Sequence, residues 1–213
     1  YRAAADAGTA VVVRCAPAFA GVLAGTTASV EAPLPAASDG VLVVCGSYVP
    51  QTTRQLARLL ADRPQTLVEA DVLALGGAAP DGEIARLAGA VSTGLRRDRV
   101  VVLATPRERP EGTTSLDAGE RIAVNLARVV AGLDRRPSVL VAKGWITSAV
   151  TLRDGVGADV ADVLGPVLPG VSRWAARWPD GSPLDYVVVP GNVGDDDLLA
   201  RLVEGIVRGS GTC

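Results

Sequence analysis

The chain has 213 residues, of which 48% are hydrophobic and only 3% aromatic, and its formal net charge is −2. That supplies one sizeable core built from Val, Leu, Ile and Ala, a composition that suits a parallel sheet covered by helices. The absence of His rules out His-based triads and His metal sites, the lack of a basic stripe argues against a nucleic-acid surface, and no apolar run reaches the ~18 residues of a membrane span.

The chain contains no Met and opens YRAAADAGTA, which reads as the tail of a helix. The expectation is a piece of a longer, cytoplasmic protein with residues missing before Tyr1. Residues 10–15 (AVVVRC) read as a buried strand. Residues 17–25 read as a short helix with Pro in its first turn and Gly at its end. Residues 26–39, rich in Pro, Ser, Thr and Ala, read as a linker. The expected organisation is therefore a remnant over 1–25, a linker over 26–39 and a main domain over 40–213. The three Cys, at 15, 45 and 213, show no CxxC spacing. Cys15 and Cys45 adjoin apolar runs and read as core.

From residue 40 the pattern alternates. Strands are expected at 41–45, 65–70, 99–105, 138–142 and 184–189. Helices are expected at 50–62, 81–96, 116–133 and 195–207, with Ile84, Leu87, Ala88 and Val91 at helical spacing in the second. Asp71 and Val72 extend the second strand less clearly. Residues 148–164 are irregular, with Gly155 and Gly157 as breakers, and Trp174 and Trp178 flank a loop. The fold expected is α/β: a doubly wound, mostly parallel Rossmann-like sheet with helices on both faces.

Three glycine loops follow Val-rich strands: GSYVPQTT from Gly46, KGWITS from Lys143 and PGNVGD from Pro190. A buried strand that ends in Gly plus hydroxyl or amide residues and then enters a helix leaves backbone N–H groups where an anion can sit. Three such ends point to a site at the carboxyl edge of the sheet. The P-loop pattern is absent, and Gly155-Val156-Gly157 is only a partial dinucleotide fingerprint.

Together with PGV at 169–171, these loops resemble the nucleotide-binding C-terminal domain of the four-carbon acid sugar kinases, formerly a domain of unknown function. The resemblance covers residues 40–208 and reaches back to VVVRCAPAFAGVLAG. It implies an ATP-dependent kinase acting on a hydroxy acid of the threonate, erythronate or 3-oxo-tetronate type, with ATP and Mg²⁺ as cofactors. It also implies an upstream acid-binding domain, of which residues 1–25 would be the tail, and a catalytic base in that domain. The fragment alone would then bind nucleotide without turnover. The nucleotide contacts implied are Gly46, Ser47, Gly144, Trp145, Ile146, Thr147, Gly191, Asn192 and Gly194. Many relatives have Gly where this chain has Trp145, which either stacks on adenine or fills the pocket.

The residues themselves leave alternatives. Ser47, Thr52 and Thr53 serve as cap or early-helix residues, or as ligand contacts. Lys143 neutralises phosphate or ends a strand. Asp195, Asp196 and Asp197 complement a helix dipole or bind Mg²⁺. Arg107 and Arg109 meet substrate or phosphate, or lie in a solvated loop. The partners expected are ATP and a small hydroxy acid, with no nucleic acid or membrane and a homo-oligomer left open. The alternative function is a non-catalytic nucleotide- or small-anion-binding module.

Overall fold

In the computed structural model, which describes residues 1–15, 17–25, 31–61, 63 and 66–209, the Val-rich runs become the centre of a seven-stranded sheet. Strands β1 (Val41–Cys45), β3 (Val100–Ala104) and β4 (Val139–Lys143) are buried at every position. This is the signature of parallel strands covered on both faces. β2 (Leu67–Glu69) and β7 (Pro183–Val189) flank them in parallel register. With β5 (Asp162–Leu168) and β6 (Val171–Arg177) at the far edge, the order is β2-β3-β1-β4-β7-β6-β5.

One face carries α4 (Val72–Gly76), α5 (Asp81–Arg97), α6 (Leu116–Ala131) and a π-helix over Thr151–Val156 that continues α7 (Trp145–Val150). The other carries α3 (Pro50–Ala61) and α8 (Leu198–Gly209). Alternate strand residues divide between two buried clusters accordingly, Leu42 and Val44 on the first side, Val41 and Val43 on the second. The doubly wound α/β expectation is met.

The antiparallel end of the sheet departs from the sequence reading. β5 (Asp162–Leu168) and β6 (Val171–Arg177) form a hairpin that pairs antiparallel with β7. Trp174 therefore lies on a strand, and Trp178 is buried, donating from Nε1 to Pro137 O at 3.3 Å. Mixed polarity and Pro166 hid this hairpin, and its register shifts twice. Asp71 does not extend β2. Its side chain caps α4, accepting from the amides of Leu73 and Ala74.

Tyr1–Val30 and Glu31–Cys213 are separate compact units. In the first, α1 (Arg2–Asp6) and α2 (Pro17–Leu23) form as short helices. The buried strand expected at 10–15 does not form: Val12 is 100% exposed and Cys15 is exposed too. A strand needs a partner for its amides and carbonyls, and the first unit has no other strand among its described residues. Of the segment read as a linker, residues 26–30 lie outside the described residues. Residues 31–37 are part of the second unit and are bonded into it: Ala32 N donates to Pro166 O at 2.7 Å, Arg173 donates to Pro33 O at 2.8 Å, and Ala37 is buried. Cys213 also lies outside the described residues.

Candidate functional site

β1 lies between β3 and β4; the chain runs from β1 outward past β3 to β2, returns to β3, and then crosses to β4 on the other side of β1. The chain reverses its direction of travel across the sheet there, and the crevice beyond the carboxyl ends of two such strands is the usual ligand position in open α/β sheets. All three glycine loops end there. Gly144 N donates to Val189 O at 2.8 Å, so the loops after β4 and β7 are joined at their first residues.

Ser47 is the hub. A Cβ added to Gly144 would sit 3.1 Å from Ser47 Cβ, and one added to Gly191 would sit 3.2 Å from Ser47 Oγ. A Cβ on Gly46 would come within 2.7 Å of Thr147 Oγ1, closer than side chains tolerate. Gly144 has φ +110°, a conformation that L side chains rarely adopt. Thr52 is wholly buried and donates from Oγ1 to Gly191 O at 3.2 Å. Ser47 Oγ accepts from Val49 N at 3.3 Å. Among the described residues, no acceptor takes the backbone amides of Ser47, Tyr48, Gly191 or Asn192. Unclaimed amides in glycine loops at strand ends form a cradle for an anion.

Lys143 has no exposed surface and donates from Nζ to Pro190 O at 2.8 Å, which ties β4 to the start of the late loop. Burial lowers its pKa to about 8. Ser148 Oγ bonds to Gly144 O at 2.7 Å, and Tyr186 donates to Ser148 O at 2.6 Å. Burial pushes the Tyr186 phenol far up, so it stays a donor. Arg107 spans the loops after β3 and β1: Nη1 donates to Ser47 O at 2.9 Å and Nη2 to Thr105 O at 2.6 Å.

Trp145 and Ile146 open α7 with 64% and 69% of their surface exposed. Trp145 thus stands beside the cluster and fills no pocket within it. Asn192 is exposed at the rim. Gly194 belongs to the packing of its own loop: its φ is +81°, and a Cβ there would meet Leu198 Cδ1 at 2.1 Å. The PGV segment is the β5–β6 turn, with Gly170 packed against Val193.

Asp195, Asp196 and Asp197 precede α8 and are paired with Arg201, Arg54 and Arg58 respectively. Gln55 Nε2 adds bonds to Val193 O at 2.9 Å and Asp195 O at 2.7 Å. The sequence reading passed over Gln55; its signal was a polar residue one step before Leu56, on the stripe that α3 buries. Three carboxylates committed to arginines are a poor magnesium site, and no group of three or more metal-ligating side chains converges among the described residues.

The family model described as "Nucleotide-binding C-terminal domain" matches residues 42–199. The chain belongs to this family. It is the domain that the loop resemblance assigned to the four-carbon acid sugar kinases. As a nucleotide-binding C-terminal domain it shares its fold with a domain of unknown function from Bordetella bronchiseptica, solved with bound citrate as a domain-swapped dimer. The TM-score is 0.63 at 21% identity, over 80% of this chain and 41% of that one. A second crystal form of the same protein gives 0.57 at 23%, over 88% and 42%. A Salmonella typhimurium LT2 protein provisionally labelled a tRNA synthase gives 0.59 at 20%, over 78% and 41%. The chain thus spans about two fifths of the length of these proteins. No curated protein matches it. Among the described residues no helix is long and apolar enough to cross a membrane.

Proposed function

We propose that this nucleotide-binding domain takes ATP, as the cytoplasmic C-terminal half of a kinase that phosphorylates a four-carbon acid sugar of the threonate, erythronate or 3-oxo-tetronate type. The observation that carries the reading is the convergence of Gly46, Ser47, Gly144, Thr147 and Gly191 at the switch point, with unclaimed amides at Ser47 and Gly191. Phosphoryl transfer depends mainly on positioning and charge stabilisation, and a rigid cradle of amides supplies the first and part of the second. Gly144 and Gly191 let Ser47 sit close against the loops after β4 and β7, which brings its backbone amide and hydroxyl into the cradle. Trp145, exposed beside that cradle, offers a face on which adenine stacks. Magnesium would be held by the phosphates themselves, since Asp195, Asp196 and Asp197 are already paired with arginines.

Exposed apolar side chains follow the carboxyl ends of four adjacent strands: Val49, Leu73, Leu116, Trp145 and Ile146. A second domain closing over this edge would cover them and bring the acid sugar and the base.

Calorimetric titration tests the reading. Mg·ATP binds and NAD does not; Ser47→Ala weakens ATP by roughly 1–2 kcal/mol, the scale of one hydrogen bond to a charged group; Trp145→Gly weakens it through loss of stacking. Absence of ATP binding to the wild-type chain overturns the nucleotide assignment, and unchanged affinity in both variants overturns this placement of the ligand.

A further inference from the structure

The loop after β3 carries two arginines whose positions the nucleotide cradle does not explain. β3 runs parallel to β1 with Ala104 opposite Cys45, so residues 105–110 leave the sheet beside Ser47 and Tyr48. Both guanidinium groups lie over the Tyr48 ring, Arg107 at 5.8 Å and Arg109 at 5.2 Å from its centroid. Arg107 spends its donors on Thr105 and Ser47 O. Arg109 has no carboxylate partner among the described residues, although Glu108 and Glu111 share its loop. Its side chain is exposed yet placed: one face rests on Tyr48, and Nη2 lies 3.4 Å from where a Cβ on Gly119 would stand. The Tyr48 hydroxyl is buried and lacks a partner among the described residues.

A long cationic side chain docked on an aromatic ring has already lost much of the rotamer freedom that ligand binding would otherwise remove. Its donors remain free, its charge is uncompensated, and it adjoins the residue next to Ser47. We propose that Arg109, positioned by Tyr48, binds the terminal phosphate of a nucleoside triphosphate and so makes the site prefer triphosphate over diphosphate and monophosphate. The inference rests on the nucleotide reading above and assigns the end of the nucleotide that lies toward β3. Planar guanidinium groups suit such oxygens because two N–H donors meet two oxygens at once.

The test is titration of the whole chain with Mg·ATP, Mg·ADP and AMP, comparing wild type with Arg109→Ala, Arg109→Lys, Tyr48→Leu and the Arg109→Ala/Tyr48→Leu pair. Arg109→Ala lowers Mg·ATP affinity by about tenfold, the scale of one charged hydrogen bond, and leaves AMP unchanged. Arg109→Lys keeps part of the preference. Tyr48→Leu loses a similar factor, and the pair loses little more than either alone, because the ring acts through Arg109. An equal loss for ATP and AMP in Arg109→Ala, or no loss, overturns the proposal, and additive losses in the pair overturn the positioning role of Tyr48. Should Tyr48→Leu fail to fold, as circular dichroism would show, the Arg109 variants decide. Wild-type chain that binds no ATP brings down the nucleotide reading itself, whereas wild-type binding with an indifferent Arg109→Ala brings down this inference alone.

Discussion

Lys143 closes the base of the candidate site with an ammonium that water does not reach. Its bond to Pro190 O fixes the start of the late loop, so its role in the structure is to position Gly191. Burial lowers its pKa from 10.5 to about 8. A lysine depressed on folding binds its proton less tightly in the native state, so stability rises with pH from about 8 to the unfolded value near 10.5. The span corresponds to about 3 kcal/mol. Cys45, raised from 9.0 to about 11 by burial, works in the opposite sense over its own range. A comparison with Lys143→Met, which keeps Cys45, removes that contribution. Urea unfolding of both proteins should show the wild type gaining about 3 kcal/mol on the variant between pH 7.5 and 10.5. A difference that stays flat with pH would mean that Lys143 is not desolvated as described.

At the level of elements, the loop after β7 is held from outside the site. Its backbone is bonded by Gln55 from α3, its three aspartates are paired with arginines of α3 and α8, and the Pro169-Gly170 turn packs on Val193. The ion pairs at 195–197 are exposed and contribute little stability individually; their effect is to fix where the loop lies. Gly194 is part of this packing. Gly194→Val would place a β-branched residue at φ +81° and drive its Cβ into Leu198, a cost on the order of 2–4 kcal/mol. The thermal midpoint should fall by several degrees, on the scale of about 2–4 °C per kcal/mol. Lost ATP affinity at an unchanged midpoint would instead show that Gly194 is kept small for the ligand. The π-helix after α7 meets a related steric demand: a Cβ on Gly155 would come within 2.9 Å of Ala127 O, so the turn needs glycine to lie this close to α6.

Across the whole molecule, both buried clusters are drawn from residues of the second unit, beginning at Ala32. The sheet's hydrogen bonds, the switch point and the cradle also lie within it. Deleting residues 1–30 should therefore leave the cooperative unfolding midpoint and the ATP affinity of the remainder unchanged, as calorimetry would measure. A fall in midpoint would mean that Tyr1–Val30 contributes to the core after all.

The sequence by itself determined the parallel centre of the fold. Runs such as VLVVC and SVLVA bury both faces of a strand, and that pattern is local. It also located the glycine loops at the carboxyl ends of their strands, because a strand ending in Gly with hydroxyl neighbours is readable without knowing what lies beside it. Tertiary structure decided the rest. The stretch at 10–15 carries the same Val-rich signal as β1 but forms no strand, since pairing depends on a partner that sequence does not reveal. The β5–β6 hairpin has weak alternation and takes its form from pairing with β7. Glycine alone does not say what its missing side chain makes room for: Gly191 clears Ser47, whereas Gly194 clears Leu198. Three aspartates in a row read first as dipole partners, with metal ligation as the other reading, until the arginines of neighbouring helices are brought to them. Charge is cheap to place in sequence, and its meaning comes from the groups that folding sets within a few ångströms of it.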